Sequence, residues 1–122
     1  MLYQDMGIDY DSKSVYLMQH SLYPLLRLHK EGVIVMQGIK VYLSPTGKGW
    51  HVRFSVRAPP FLTRREIELL GGDDMGRHVV GILRNDMDAL LFQTKRIEGK
   101  DYEEKYAPEI TRRIKEMFRR GW

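Results

Sequence analysis

Asp9 and Asp11 stand two residues apart in Ile8-Asp9-Tyr10-Asp11, and His51 and Arg53 stand two apart in Trp50-His51-Val52-Arg53. In an extended strand, side chains two apart leave the same face, so each spacing predicts a pair of groups pointing together. Two carboxylates held that way suit a hard divalent cation, Mg²⁺ or Mn²⁺, which takes oxygen ligands and keeps waters that a phosphate can replace. An imidazole and a guanidinium suit the phosphates themselves. The loop Ser44-Pro45-Thr46-Gly47-Lys48-Gly49 runs straight into that second pair. The candidate set is therefore Asp9 and Asp11 as metal ligands, with Ser44, Lys48, His51 and Arg53 around a phosphate. Asp-x-Asp is too common to fix a function alone, and its plain alternative is two solvated carboxylates on the outer face of a sheet.

Positioning these groups falls to a readable string of elements. Residues 6–11 alternate apolar and acidic side chains, which predicts a short strand with Ile8 and Tyr10 on its inner side. Ser12 or Ser14 caps a helix whose Val15, Met18, Leu22, Leu25, Leu26 and His29 recur at helical spacing up to Gly32, with Pro24 kinking or splitting it. Residues 33–44 are rich in β-branched side chains, Gly38 marks a bulge, and the 44–49 loop closes a hairpin. Its second strand, 50–57, alternates without error: Trp50, Val52, Phe54 and Val56 against His51, Arg53, Ser55 and Arg57. Thr63 with Glu66 forms a capping box for a short helix that Gly71-Gly72 ends. Asp73 or Asp74 then caps a helix over 75–84 closed by Asn85, and residues 89–95 read as a last strand. Pro108 introduces an amphipathic helix over 107–119, apolar at Ile110, Ile114, Met117 and Phe118.

The order βαββαβ predicts an α+β fold: a ferredoxin/RRM-like domain over residues 1–100 with an antiparallel sheet, and a basic C-terminal helix over 101–122 packed on it. In that topology the first and third strands are neighbours and the helices cover one face. Asp9, Asp11, His51 and Arg53 then emerge together on the open face. Trp50 and Phe54 turn to the helices, which leaves Tyr42 as the exposed ring of the sheet and makes base stacking there a minor mode.

Composition narrows the function classes. The 122 residues contain no Cys, which removes disulfides, thiolate metal sites and cysteine nucleophiles. No apolar run approaches the roughly 20 residues of a membrane span. The opening MLYQDMGIDY lacks the basic flank and apolar stretch of a secretory signal, so a cytoplasmic protein away from membranes is expected. The net charge is +4, and residues 112–122, with five cations against Glu116, hold all of it. Residues 32–65 form a second basic zone with six cations and no acid. Arg57, Arg112, Arg113 and Arg119 are thus candidate nucleic-acid contacts, against the commoner meaning of a solvated face.

The pair in Ile8-Asp9-Tyr10-Asp11, followed by Ser44-Pro45-Thr46-Gly47-Lys48-Gly49-Trp50-His51, resembles the first two motifs of the archaeo-eukaryotic primase superfamily. Those are an hDhD strand bearing metal carboxylates, and a Ser/Gly-rich hairpin ending in a His that contacts nucleotide phosphates. The resemblance implies an RRM-like palm, a nucleotidyltransferase-type role in DNA replication, Asp9, Asp11 and His51 as catalytic residues, and a Mg²⁺ or Mn²⁺ cofactor. It covers residues 6–57. The family's third carboxylate has only Asp86 or Asp88 as a counterpart, and the second subdomain of its enzymes has none. A reduced relative, of the kind an archaeal plasmid or virus encodes, suits that length. The alternative is a non-catalytic RRM-like module that binds nucleic acid or pairs with itself as a homodimer across the sheet or an edge.

Overall fold

The computed structural model describes residues 1–73, 94–97 and 100–121. Its elements are β1 (Leu2–Tyr10), α1 (Val15–Lys30), β2 (Val35–Leu43), β3 (Trp50–Arg57), α2 (Arg64–Leu70), β4 (Thr94–Ile97), β5 (Lys100–Glu103), β6 (Lys105–Tyr106) and α3 (Pro108–Arg120). The fold is α+β. An antiparallel four-stranded sheet in the order β1-β3-β2-β6 is covered by α1, α2 and the C-terminal α3, compatible with a ferredoxin-like arrangement. The 75–84 helix, most of the 89–95 strand, and Asp86 and Asp88 lie outside the described residues. Thr94 and Lys95 begin β4, which pairs with β5 as a separate two-stranded ribbon.

The sheet follows its hydrophobic pattern once two bulges are allowed for. In β3, Trp50, Val52, Phe54 and Val56 all point into the core. Along β2 the buried positions step from Met36 to Ile39 and Val41, because the register slips between Gln37 and Lys40 where Gly38 has φ +59°. The extra residue flips the alternation, so both halves of the strand present apolar side chains inward. β1 does the same between Tyr3 and Met6, with Asp5 in the left-handed region at φ +53°. It therefore extends further toward the N-terminus than the alternation in 6–11 indicates, through pairing with Val56 and Arg57.

α1 is capped by Ser14, whose Oγ accepts the Leu17 N–H at 3.2 Å, and it ends before Gly32 at φ +78°. Pro24 does not split it. The proline is exposed, while Met18 and Leu22 before it and Leu25 and Leu26 after it are sunk in one core. That burial, at about 1.5–3 kcal/mol per large apolar side chain, outweighs one lost backbone hydrogen bond. Thr63 caps α2 as the spacing predicts, its Oγ1 accepting the Glu66 N–H at 3.2 Å and donating to Glu66 Oε1 at 2.9 Å. α3 buries Ile114, Met117 and Phe118 against β2 and α1. Thr111 is buried among them, its Oγ1 accepting the Val41 N–H at 2.9 Å.

Outward-facing backbone groups at both sides of the sheet are met by side chains. On β1, Gly7 N–H donates to Glu68 Oε2 at 3.0 Å and Asp9 N–H to Asp73 Oδ1 at 2.7 Å. On β2, Met36 N–H donates to His29 Nδ1 at 3.1 Å, and Thr111 takes Val41. These donors are spent within the chain and are not offered to a second copy pairing edge to edge.

Candidate functional site

Asp9 and His51 are directly opposite each other on β1 and β3, on the face away from the apolar core. His51 Nε2 lies 3.3 Å from Asp9 Oδ1, and its Nδ1 lies 2.7 Å from Glu104 Oε2. Two residues along β3, Arg53 presents its fork to the same glutamate, Nε donating to Oε1 at 2.8 Å and Nη2 to Oε2 at 3.1 Å. The imidazole is thus held between two carboxylates, one of which also takes a bidentate guanidinium.

The face is not open at this point. Side-chain exposure is 6% for His51 and 9% for Glu104. β6 pairs Lys105 with Leu43 and Tyr106 with Tyr42, and that return drops Glu104 onto the sheet beside His51 and Arg53. Tyr42 is half-buried and packs on Tyr106, ring centroids 5.4 Å apart. Nothing in the spacing of residues 9–53 points to Glu104. It sits in Asp101-Tyr102-Glu103-Glu104-Lys105, which falls in the 101–122 segment expected to form the C-terminal helix and instead runs from β5 into β6, the helix beginning at Pro108.

Burial works against a charge on His51, but the hydrogen bonds and the Coulomb attraction of Asp9 and Glu104 outweigh it, so its pKa is raised above the ordinary value. A protonated ring donates from both nitrogens, one to each carboxylate. As placed, His51 and Arg53 are already neutralised by Glu104 and Asp9.

The remaining candidates divide among other surroundings. β1 ends at Tyr10 and the chain bends at Asp11, which lines a groove with Tyr10, Ser12, Ser14 and Ser21 at the start of α1. The two-apart rule needs both residues in the strand, so Asp9 and Asp11 are not held side by side by it. A hard divalent cation needs several oxygens around one point, and these two carboxylates, one turned to His51 and one at the α1 groove, do not fit that demand. Among the described residues no group of three or more His, Asp or Glu is arranged to hold a metal ion. Ser44 is buried and its Oγ accepts the Gly49 N–H at 3.2 Å, a hairpin clasp. Lys48 is exposed at the loop tip and Arg57 at the end of β3. Gly49 is fixed by packing: a Cβ there would sit 1.8 Å from the Tyr10 carbonyl oxygen.

The second charged region is α3. Arg112, Arg113, Lys115, Arg119 and Arg120 are all exposed. Glu116 is engaged by Arg119 and Arg120, and its carboxyl is held below the usual carboxylate range by those cations. Arg112, Arg113 and Lys115 have no ion-pair partner among the described residues, and with Glu116 and Gln19 of α1 they line a groove between the two helices. Among the described residues no helix is long and apolar enough to cross a membrane. Comparison of the chain with protein-family models, with curated proteins and with solved structures finds no match.

Proposed function

We propose that this chain is a nucleic-acid-binding module that grips the phosphate backbone through the basic face of α3. The observation that carries the reading is the contrast in pairing: Arg53 and His51 are committed to Glu104, whereas Arg112, Arg113 and Lys115 are exposed on a helix whose other side is anchored in the core. A rigid row of cations with no ion-pair partner among the described residues releases counterions from a polyanion at little cost in order. Contacts of this kind position a backbone and carry little base information, so binding is salt-sensitive and weakly sequence-specific. The test is fluorescence anisotropy of labelled oligonucleotides across a salt series. Arg112→Glu/Arg113→Glu should weaken binding and reduce the slope of log K against log salt by roughly 1.5, two phosphate contacts' worth. An unchanged slope confines α3 to a structural role.

A second reading, a reduced primase-like palm in which His51 meets nucleotide phosphates, is supported by the cross-strand pairing of Asp9 with His51, although Asp9 and Asp11 do not converge on one metal ion. Titration calorimetry of Mn²⁺ with a nucleoside triphosphate into the wild type and Asp9→Asn/Asp11→Asn separates the two readings. Heats lost in the variant support the palm, and identical heats remove it.

A further inference from the structure

Three features lie at the surface: the groove between α1 and α3, the rings on the flank of α1, and the 44–47 loop with its neighbour 102–105. The third sets Glu103 and Glu104 against a single cation, Lys105, and offers a phosphate no surplus of positive charge. The first two are adjacent and complement each other.

Tyr16 is 65% exposed and Tyr23 44% exposed. Gln19, which lines the groove, is three residues after Tyr16 and four before Tyr23, so both rings flank it on one side of the helix. Seven residues of helix separate the two rings by about 10 Å along the axis. Tyr16 is steadied by the His20 ring, centroids 4.3 Å apart. Opposite them, α3 contributes Arg112, Arg113 and Lys115. One wall of the groove is cationic and the lip of the other carries aromatic faces.

We infer that the α1/α3 groove is a site for single-stranded nucleic acid, in which Arg112, Arg113 and Lys115 hold phosphates while Tyr16 and Tyr23 stack on bases. The inference rests on the reading of α3 as a phosphate-binding face and adds the class of nucleic acid. Unpaired bases have free π-faces, which those of a duplex do not, and a cationic groove beside exposed rings matches both parts of a single strand. An acidic peptide matches the cations and leaves the rings unused. The stacking surface is on the helices, not on the sheet, whose Tyr42 is packed on Tyr106.

The experiment compares two labelled strands of equal length, one of oligothymidine and one with the same backbone but abasic throughout, with polyglutamate as competitor. Base stacking on an aromatic ring is worth roughly 5- to 150-fold per base, so the base-bearing strand should bind at least about fivefold tighter. Tyr16→Ala/Tyr23→Ala should erase that preference while leaving the abasic strand's affinity and salt slope intact, and Tyr16→Phe/Tyr23→Phe should restore it. Equal binding of the two strands by the wild type, a preference that survives in the alanine variant, or polyglutamate displacing the base-bearing strand as readily as the abasic one would overturn the stacking site. Binding of the abasic strand with a steep salt slope would still uphold the phosphate-binding reading of α3, and no binding of either strand would sink both.

Discussion

At the sheet, Arg53 and His51 meet Glu104 and Asp9 at 2.7 to 3.3 Å, mostly out of water, while along α3 Arg112, Arg113 and Lys115 extend into solvent without ion-pair partners among the described residues. The same residue types therefore do different work. A buried guanidinium or imidazolium must be matched by acid or its desolvation destabilises the fold. An exposed one keeps its hydration until a polyanion arrives, and its binding energy comes from the counterions then released. What separates the regions is the return of the chain through β6, which supplies the acid to the first and none to the second.

Removing that acid should give the largest effect. Glu104→Ala leaves His51 and Arg53, at 6% and 20% side-chain exposure, facing each other across the space the carboxylate filled. Breaking a buried ion pair from one side costs several kcal/mol; here His51 retains Asp9 and Arg53 can turn toward water, so about 3 kcal/mol is expected. Urea denaturation should report that loss, with a fall in Tm of roughly 10 °C. A loss below about 0.5 kcal/mol would mean that the two regions are alike and the cluster is no lock. Binding of oligonucleotides under conditions below the unfolding transition should be unaffected, since α3 is untouched.

Gly49→Ala comes next. The added methyl would have to push the Tyr10 carbonyl aside, disturbing the hairpin and the end of β1 together, and overpacking of this kind costs about 1–3 kcal/mol. Because the clash is internal, the substitution should destabilise the protein with or without a ligand. A stable Gly49→Ala protein that loses only phosphate binding would instead make the loop a binding element.

Particular residues explain what could be read in advance. β3 was legible because its alternation runs unbroken for eight residues, and α3 because its apolar stripe and Pro108 agree. Gly38 announced its bulge, whereas Asp5 takes a left-handed conformation with no glycine to signal it. Pro24 does not split α1, because the local backbone rule was overridden by leucines packed on both sides of it. Asp9 beside His51 followed from the pairing of the first and third strands. Glu104 could not, since its meaning depends on a contact 51 to 53 residues away in the chain. Thr111 interrupts the apolar stripe of α3 and its purpose appears only once Val41 is seen to need an acceptor.

A third expected effect follows the proton. His51 has a raised pKa in the folded protein, against about 6.5 in the unfolded chain. The folded state therefore binds more protons in the interval between the two values, and stability must fall as pH rises through it. The contribution is full below about pH 6.5 and is lost above the folded-state pKa. Denaturation midpoints measured from pH 6 to pH 9 should decline in the wild type and decline less in His51→Gln. Equal slopes would show that the imidazole is not charged in the cluster, and the comparison with α3 would then rest on Arg53 and Glu104 alone.

The smallest effect on stability should come from the region with the largest surplus of charge. Arg112 and Arg113 occupy the fifth and sixth positions of α3, exposed and outside the apolar stripe, so Arg112→Glu/Arg113→Glu removes no packing and breaks no ion pair among the described residues. Glutamates in the first half of a helix also agree with its dipole. The change should stay within about 0.5 kcal/mol, the range of ordinary surface substitutions. Urea denaturation of the same protein used for the binding series decides the matter. Loss of binding at unchanged stability assigns these cations to a partner, whereas a loss of stability comparable to that of Glu104→Ala would mean that α3, too, spends its charge inside the fold.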